Sequence, residues 1–169
     1  LSRYLDVAHG EWISVHLELM PWYVYLLSAH AGLHLNPPLP DKAVDNFLSS
    51  FERFSQSVDL PILLENLTSL PVEKYNYAAD PGLIRQVIEK TDTNMVLDIA
   101  HARIAASYQN TEIADYLSGL PLERVKQIHV SGVSKEDDIM YDTHEVMEEI
   151  DYELLAWILD RTRPRVVTL

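Results

Sequence analysis

Apolar runs punctuate the chain at residues 12–16 (WISVH), 61–67 (PILLENL), 95–99 (MVLDI) and 125–130 (VKQIHV), and residues 166–169 (VVTL) form a fifth. Their hydrophobic positions run on instead of alternating with polar ones, the pattern of strands buried on both faces. The segments between them change to helical spacing. In residues 41–58, Val44, Phe47, Leu48, Phe51 and Phe54 form one stripe behind a cap expected at Asp41. Residues 80–91 place Asp80 at the N-cap and Pro81 at the first helical position, ahead of Leu83, Ile84, Val87 and Ile88. A third helix, TEIADYLSG, is expected to stop at Gly119, and a fourth to start at Asp151 and bury Leu154, Leu155, Ile158 and Leu159.

Strands alternating with amphipathic helices build βα units and a parallel sheet. Asp98 follows Glu65 by 33 residues and His129 follows Asp98 by 31, close to the roughly 30 residues of one βα repeat. The period is structural, since no residue-level repeat accompanies it. On pattern alone a (β/α)8 barrel and a doubly wound sheet both remain open. The glycine-rich phosphate loop of the second is missing, and there are only 5 glycines. We therefore expect an α/β protein of the TIM-barrel class, with about five parallel strands of the eight. Residues 1–169 would form a single barrel domain, cut short at both ends, because the chain starts inside a helix-like segment (LSRYLDVA) and stops on a strand.

Composition narrows the function. With 13 Lys plus Arg against 26 Asp plus Glu the formal charge is −13, which repels nucleic acid instead of offering it a basic stripe. There are no cysteines, so any metal must be held by imidazole, carboxylate or amide groups, and a reducing, cytoplasmic setting fits. The apolar stretch MPWYVYLLSAHAGLHL is short, carries two histidines and lacks a basic start and a cleavage site, so neither a signal peptide nor a membrane span is expected.

Each of the first four strands brings a metal-competent residue towards its C-terminal end: His16, Glu65 with Asn66, Asp98 with His101, and His129. The segment after the fourth strand adds Asp142 and His144 in YDTHE. In parallel α/β folds these ends share one side, where active sites are built. Taken singly each residue has a plainer role: a hydrogen-bonded core histidine, a helix cap at Asp98, a turn at Asn66, a turn at DTH. Together they are harder to explain so. Glu65 and Asp98 follow apolar runs, a buried carboxylate needs a positive partner, and none of these strand ends carries Lys or Arg. A cation shared by carboxylates and imidazoles suits iron, manganese or zinc, and more than one ion. His9, His30 and His34 are read as structural or solvated. Glu148, Glu149, Asp151 and Glu153 read as the solvated first turn of a helix. Arg103 suits either a site carboxylate, a substrate anion or a surface salt bridge.

The segments WISVHLEL, PILLENL, LDIAHARIAASY, YLSGLPLERVKQIHVSG, YDTHEVMEEIDYELLAWILDRT and RPRVVTL, in this order and spacing, resemble the multinuclear non-heme iron-dependent oxidases, a TIM-barrel family likened to xylose isomerase. The resemblance covers most of the chain from Trp12 onward. It implies that His16, Glu65, Asp98 and His129 sit among the ligands of a two-iron centre, with Glu65 or Asp98 able to bridge. Asn66, His101, Asp142 and His144 match positions associated with a third ion. It also implies one ligand histidine upstream of Leu1 and a glutamate just past Leu169. By resemblance the cofactor is two or three irons, with Mn or Zn as substitutes. The activity that the resemblance implies is dioxygen-dependent modification of cysteine in a ribosomally made precursor peptide, often delivered by a partner protein. Two other functions fit the residues: a divalent-metal sugar isomerase, epimerase or hydrolase on the same barrel, and a non-catalytic binding or scaffold protein.

Overall fold

The computed structural model describes residues 10–33, 35–68 and 73–169. Strand β1 (Ile13–His16) is followed by α1 (Trp22–Ala31) and α2 (Pro40–Ser55), then β2 (Ile62–Glu65). A 3-10 turn (Glu73–Ala79) and α3 (Pro81–Thr91) lead to β3 (Asn94–Asp98), and α4 (Ile99–Tyr108) and α5 (Ile113–Gly119) lead to β4 (Val125–His129). Strands β5 (Gly132–Glu136) and β6 (Ile139–Glu145), helix α6 (Glu149–Leu159) and β7 (Val166–Thr168) complete the chain.

The main sheet has the order β1-β2-β3-β4-β7, and every pair in it is parallel. A doubly wound sheet reverses its strand order at a switch point, whereas a (β/α) barrel adds each strand beside the last. The unbroken chain order decides between the two in favour of an arc of a barrel. All five expected strands are present, within a residue or two at each end. Burial on both faces holds for β2, all of whose residues are buried, and for β3. It does not hold for β1, which alternates half-buried and exposed residues, or for β7, which is exposed throughout. These are the two edges of the sheet, where one flank has no neighbouring strand among the described residues.

The helices cover the outer face of the arc. Ile84, Val87 and Ile88 of α3 are buried, each adding about 1.5–3 kcal/mol of apolar burial. Asp80 caps this helix as expected, accepting from the Leu83 N–H at 2.9 Å. Asp41 does not cap α2. Leu39 is the N-cap and Pro40 takes the first helical position, since it lacks the N–H that would be orphaned there, so Asp41 lies inside the first turn. Helix α6 starts at Glu149 with Glu148 as N-cap, two residues before the expected start at Asp151.

Two elements went unrecognised in the sequence. Helix α1 (WYVYLLSAHA) is apolar nearly all round and has no side-chain cap, so neither a stripe nor a start signal marks it; Gly32, at φ 63°, ends it. Exposed His30 occupies its last turn, a favourable place for a cation. The other is the antiparallel β5–β6 hairpin. The expected opening helix, His9 and His34 lie outside the described residues. No helix among the described residues is long and apolar enough to cross a membrane.

Candidate metal centre

The sheet register sets the site. His16 lies level with Glu65 on the neighbouring strand, and Asp98 lies level with His129. Between these pairs the sheet is stepped: Glu65 is level with Val96, so Asp98 sits two residues further along, about 6.6 Å at the usual strand rise. The longer glutamate side chain rises from the lower tier and the shorter aspartate stays on the upper one, so both carboxylates reach one place. Glu65, Asp98 and His129 bring one donor atom each to within 4.8 Å of one another.

The carboxylate of Glu65 divides its two oxygens. Oε1 accepts from His129 Nδ1 at 2.9 Å, and Oε2 lies 3.7 Å from His16 Nε2. Asp98 divides its oxygens too. Oδ1 accepts from the His101 N–H at 2.8 Å, capping α4, while Oδ2 faces His129 Nδ1 at 4.0 Å. The cap uses one oxygen only and leaves the other facing the neighbouring strand end. Glu65 and Asp98 are 6% and 3% exposed, and among the described residues their ion-pair partners are histidines only. Burial pushes the Asp98 carboxyl above its usual range, and Glu65 and Asp142 push the same way against the lowering by His101.

Asn66 is fully buried and spends its side chain on the backbone of Asp98. Its Oδ1 accepts from the Asp98 N–H at 2.9 Å, and its Nδ2 donates to the Asp98 carbonyl at 3.0 Å. It clamps β3 to the end of β2 at the level of the carboxylates. His101 Nδ1 donates to the Asn66 carbonyl at 2.7 Å, which leaves Nε2 facing Asp142 Oδ2 at 3.0 Å. Burial works against charging His101, but Asp98, the Asn66 carbonyl and Asp142 together raise its pKa above the usual histidine value. The other oxygen of Asp142 lies 3.7 Å from His144 Nε2.

Asp142 and His144 are delivered by the hairpin, not by a loop turn. The β5–β6 register jumps, Gly132 pairing with Glu145 and Ser134 with Tyr141, so that Asp142, Thr143 and His144 bulge opposite Val133, with His144 at φ 52°. Bulges re-aim side chains in this way beside active sites. The hairpin is held to α4 by the Tyr108 hydroxyl, which donates to the Met140 carbonyl at 2.5 Å, and by a small apolar cluster of Ala100, Ile104 and Val133. At its base a Cβ on Gly132 would lie 2.2 Å from the Val146 carbonyl oxygen. Gly132→Ala is therefore expected to lower stability by about 1–3 kcal/mol through overpacking; a urea midpoint equal to wild type would show that the base is not packed as described. A cleft of about 860 Å³ lies over the site, lined by His16, Glu65, Asp98, His101 and His129 below and by Tyr141, Asp142 and His144 above.

Arg103 serves neither a site carboxylate nor an open anion pocket. Its guanidinium pairs with Asp151, and at 3.4 Å with Glu148. Asp151 is fully buried, which overturns its reading as part of a solvated first turn. Its second oxygen accepts from the Glu148 N–H at 2.8 Å, so one side chain both starts α6 and ties it to α4.

The donor set fits a metal. Ions bound at about 2.0–2.2 Å by oxygen and nitrogen place their donors no more than about 4.4 Å apart. Glu65, Asp98 and His129, whose donor atoms lie within 4.8 Å of one another, are close to that spacing.

A family model described as RiPP precursor modification enzyme MbnB/TglH/ChrH matches residues 1–169. A UPF0276 protein of Paraburkholderia phytofirmans is 25% identical over 154 residues, covering 86% of this chain and 48% of that protein. One of Bordetella pertussis is 26% identical over 152 residues, covering 84% and 52%. One of Acaryochloris marina is 30% identical over 83 residues, covering 49% and 30%. The chain thus spans about half the length of the Paraburkholderia and Bordetella relatives.

Proposed function

Since the chain belongs to the family of RiPP precursor modification enzymes MbnB/TglH/ChrH, we propose that it is a multinuclear iron oxidase that uses dioxygen to modify cysteine in a ribosomally made precursor peptide. The observation that carries this reading is the divided carboxylate of Glu65, with one oxygen towards His129 and the other towards His16. A carboxylate so placed suits a bridge between two ions. In this reading Glu65, Asp98 and His129 would hold one iron, and Glu65 with His16 would hold the second. His101, Asp142 and His144 hold the third where it is present, with Mn or Zn as substitutes. Asn66 serves by fixing Asp98, because its amide is already paired at both ends.

Reduced iron, when bound, supplies electrons to dioxygen and Lewis acidity that favours the thiolate of a substrate cysteine. The chain's own residues do the rest. The cleft over the carboxylates, lined by Met140 and Tyr141 among others, would take the peptide segment. The thiol has to arrive with the substrate, since the chain has no cysteine. A formal charge of −13 favours a basic peptide over an acidic one. The reading includes a partner protein that delivers the peptide, a cytoplasmic setting, and residues 1–169 as one barrel unit.

The test is anaerobic loading of the purified protein with Fe(II), metal analysis after desalting, then exposure to dioxygen with a cysteine-containing precursor peptide. Retained iron and an oxygen-dependent mass change confined to the cysteine are expected. Iron that washes out, or a peptide of unchanged mass, would sink the proposal.

A further inference from the structure

The nitrogen that His129 turns towards the two carboxylates is Nδ1, and a second set of contacts decides whether that nitrogen is free. The Trp12 indole N–H, which can only donate, lies 2.8 Å from Oε1 of Gln127. This fixes the orientation of the Gln127 amide, so its NH2 group faces Nε2 of His129 at 2.8 Å and Oγ1 of Thr168 at 3.3 Å. His129 Nε2 therefore accepts, and the ring proton sits on Nδ1, where it is donated to Glu65. Trp12 is itself held. The Arg165 guanidinium lies 5.6 Å from its ring and pairs with Glu11 at 2.6 Å.

We infer that Trp12 and Gln127 are positioning residues that hold His129 in the Nδ1–H tautomer and so weaken the site for metal. Ligation through Nδ1 requires the ring proton to move to Nε2. The new N–H then confronts the Gln127 NH2, donor against donor. If the amide turns over to accept it, the NH2 is set against the Trp12 N–H instead. Either arrangement leaves one donor–donor contact, and no rotation of Gln127 serves both neighbours. A metal-binding histidine ordinarily donates its outer N–H to an acceptor, and loss of such a partner costs about 10–100-fold in affinity. Here the acceptor is withheld, which sets a threshold that weakly binding cations do not cross. The inference rests on the assignment of His129 as a ligand.

Two measurements test it. In metal-free wild-type protein carrying 15N-histidine, with His129 assigned by a His129→Gln variant, Nε2 is expected at the unprotonated position and Nδ1 at the protonated one. Chelator competition with Fe(II) under argon should then show Trp12→Phe, which leaves Gln127 free to turn, binding about tenfold tighter than wild type. Gln127→Leu, which removes the opposing donor, should move the same way and keeps the test open if Trp12→Phe fails to fold. An Nε2–H tautomer in wild type, or normal iron uptake with affinity unchanged in both variants, overturns this inference alone. No iron uptake by wild type sinks the functional reading, and the loading threshold with it.

Discussion

Asp98→Asn is expected to lower iron affinity by more than about 100-fold while leaving the metal-free protein as stable as wild type, or more so. The loss exceeds the 10–100-fold that second-layer changes cost, because a charged donor is removed from the group it forms with Glu65 and His129. Stability survives because the two oxygens of Asp98 have separate duties. Asparagine caps helices as well as aspartate does, so the bond to the His101 N–H is kept. The buried charge is removed at the same time. A carboxyl whose folded pKa is raised costs nothing below its unfolded pKa, where both states are protonated, and its full penalty is reached above the folded pKa. Without metal, wild type should therefore gain stability as pH falls through that window, relative to the variant. Parallel urea titrations and chelator competition measure both halves. A variant that loses its helix but keeps its iron would reverse the assignment of the two oxygens.

Asp151→Ala is expected to destabilise the fold by about 3–5 kcal/mol, the cost of leaving one member of a buried pair without its counter-charge. The Arg103 side chain is only 10% exposed and has no other carboxylate as close. Glu148→Ala removes the outer partner, whose side chain is 65% exposed, together with the N-cap side chain of α6, and should cost about 0.5–2 kcal/mol. Urea unfolding of the two variants separates them, and equal losses would mean that Asp151 is not the anchor of α6. Neither residue touches the strand-end donors, so iron content per folded molecule should be unchanged in both.

The strands, and the side of the sheet they expose, were legible because apolar runs separated by helical patterns, two of their intervals close to 30 residues, leave few alternatives. The burial of Glu65 and Asp98 was legible for the same reason, since a carboxylate after three apolar residues has nowhere to go but inward. The hairpin was not. Its turn is Asp137-Asp138, both at positive φ, where the familiar signal would be Asn-Gly or Asp-Gly. Its strand β6 lacks alternation because the bulge changes which face its side chains meet. Asp151 was hidden by its neighbours: in a run of four acids nothing local marks the one that meets an arginine 48 residues earlier. Asn66 was identified as a site residue, but its contact with the backbone of Asp98 depends on the register of β2 and β3, which no local pattern encodes. Gln127 was missed altogether. It carries no charge, and its importance comes from Trp12, 115 residues away.

The stepped ladder of His16, Glu65, Asp98 and His129 also bears on how the protein is made and kept. The four donors are spread over four strands, so a nascent chain that has not yet emerged past β4 cannot assemble the set. On the proposed reading an ion would be captured only after the sheet has zipped together, because an unfolded chain with these residues tens of positions apart competes poorly for it. By mass action a cation at a hundred times its dissociation constant adds about 2.7 kcal/mol to the folded state. On the same reading, a supply of metal would therefore lengthen the life of the chain by lowering the fraction left open to proteases.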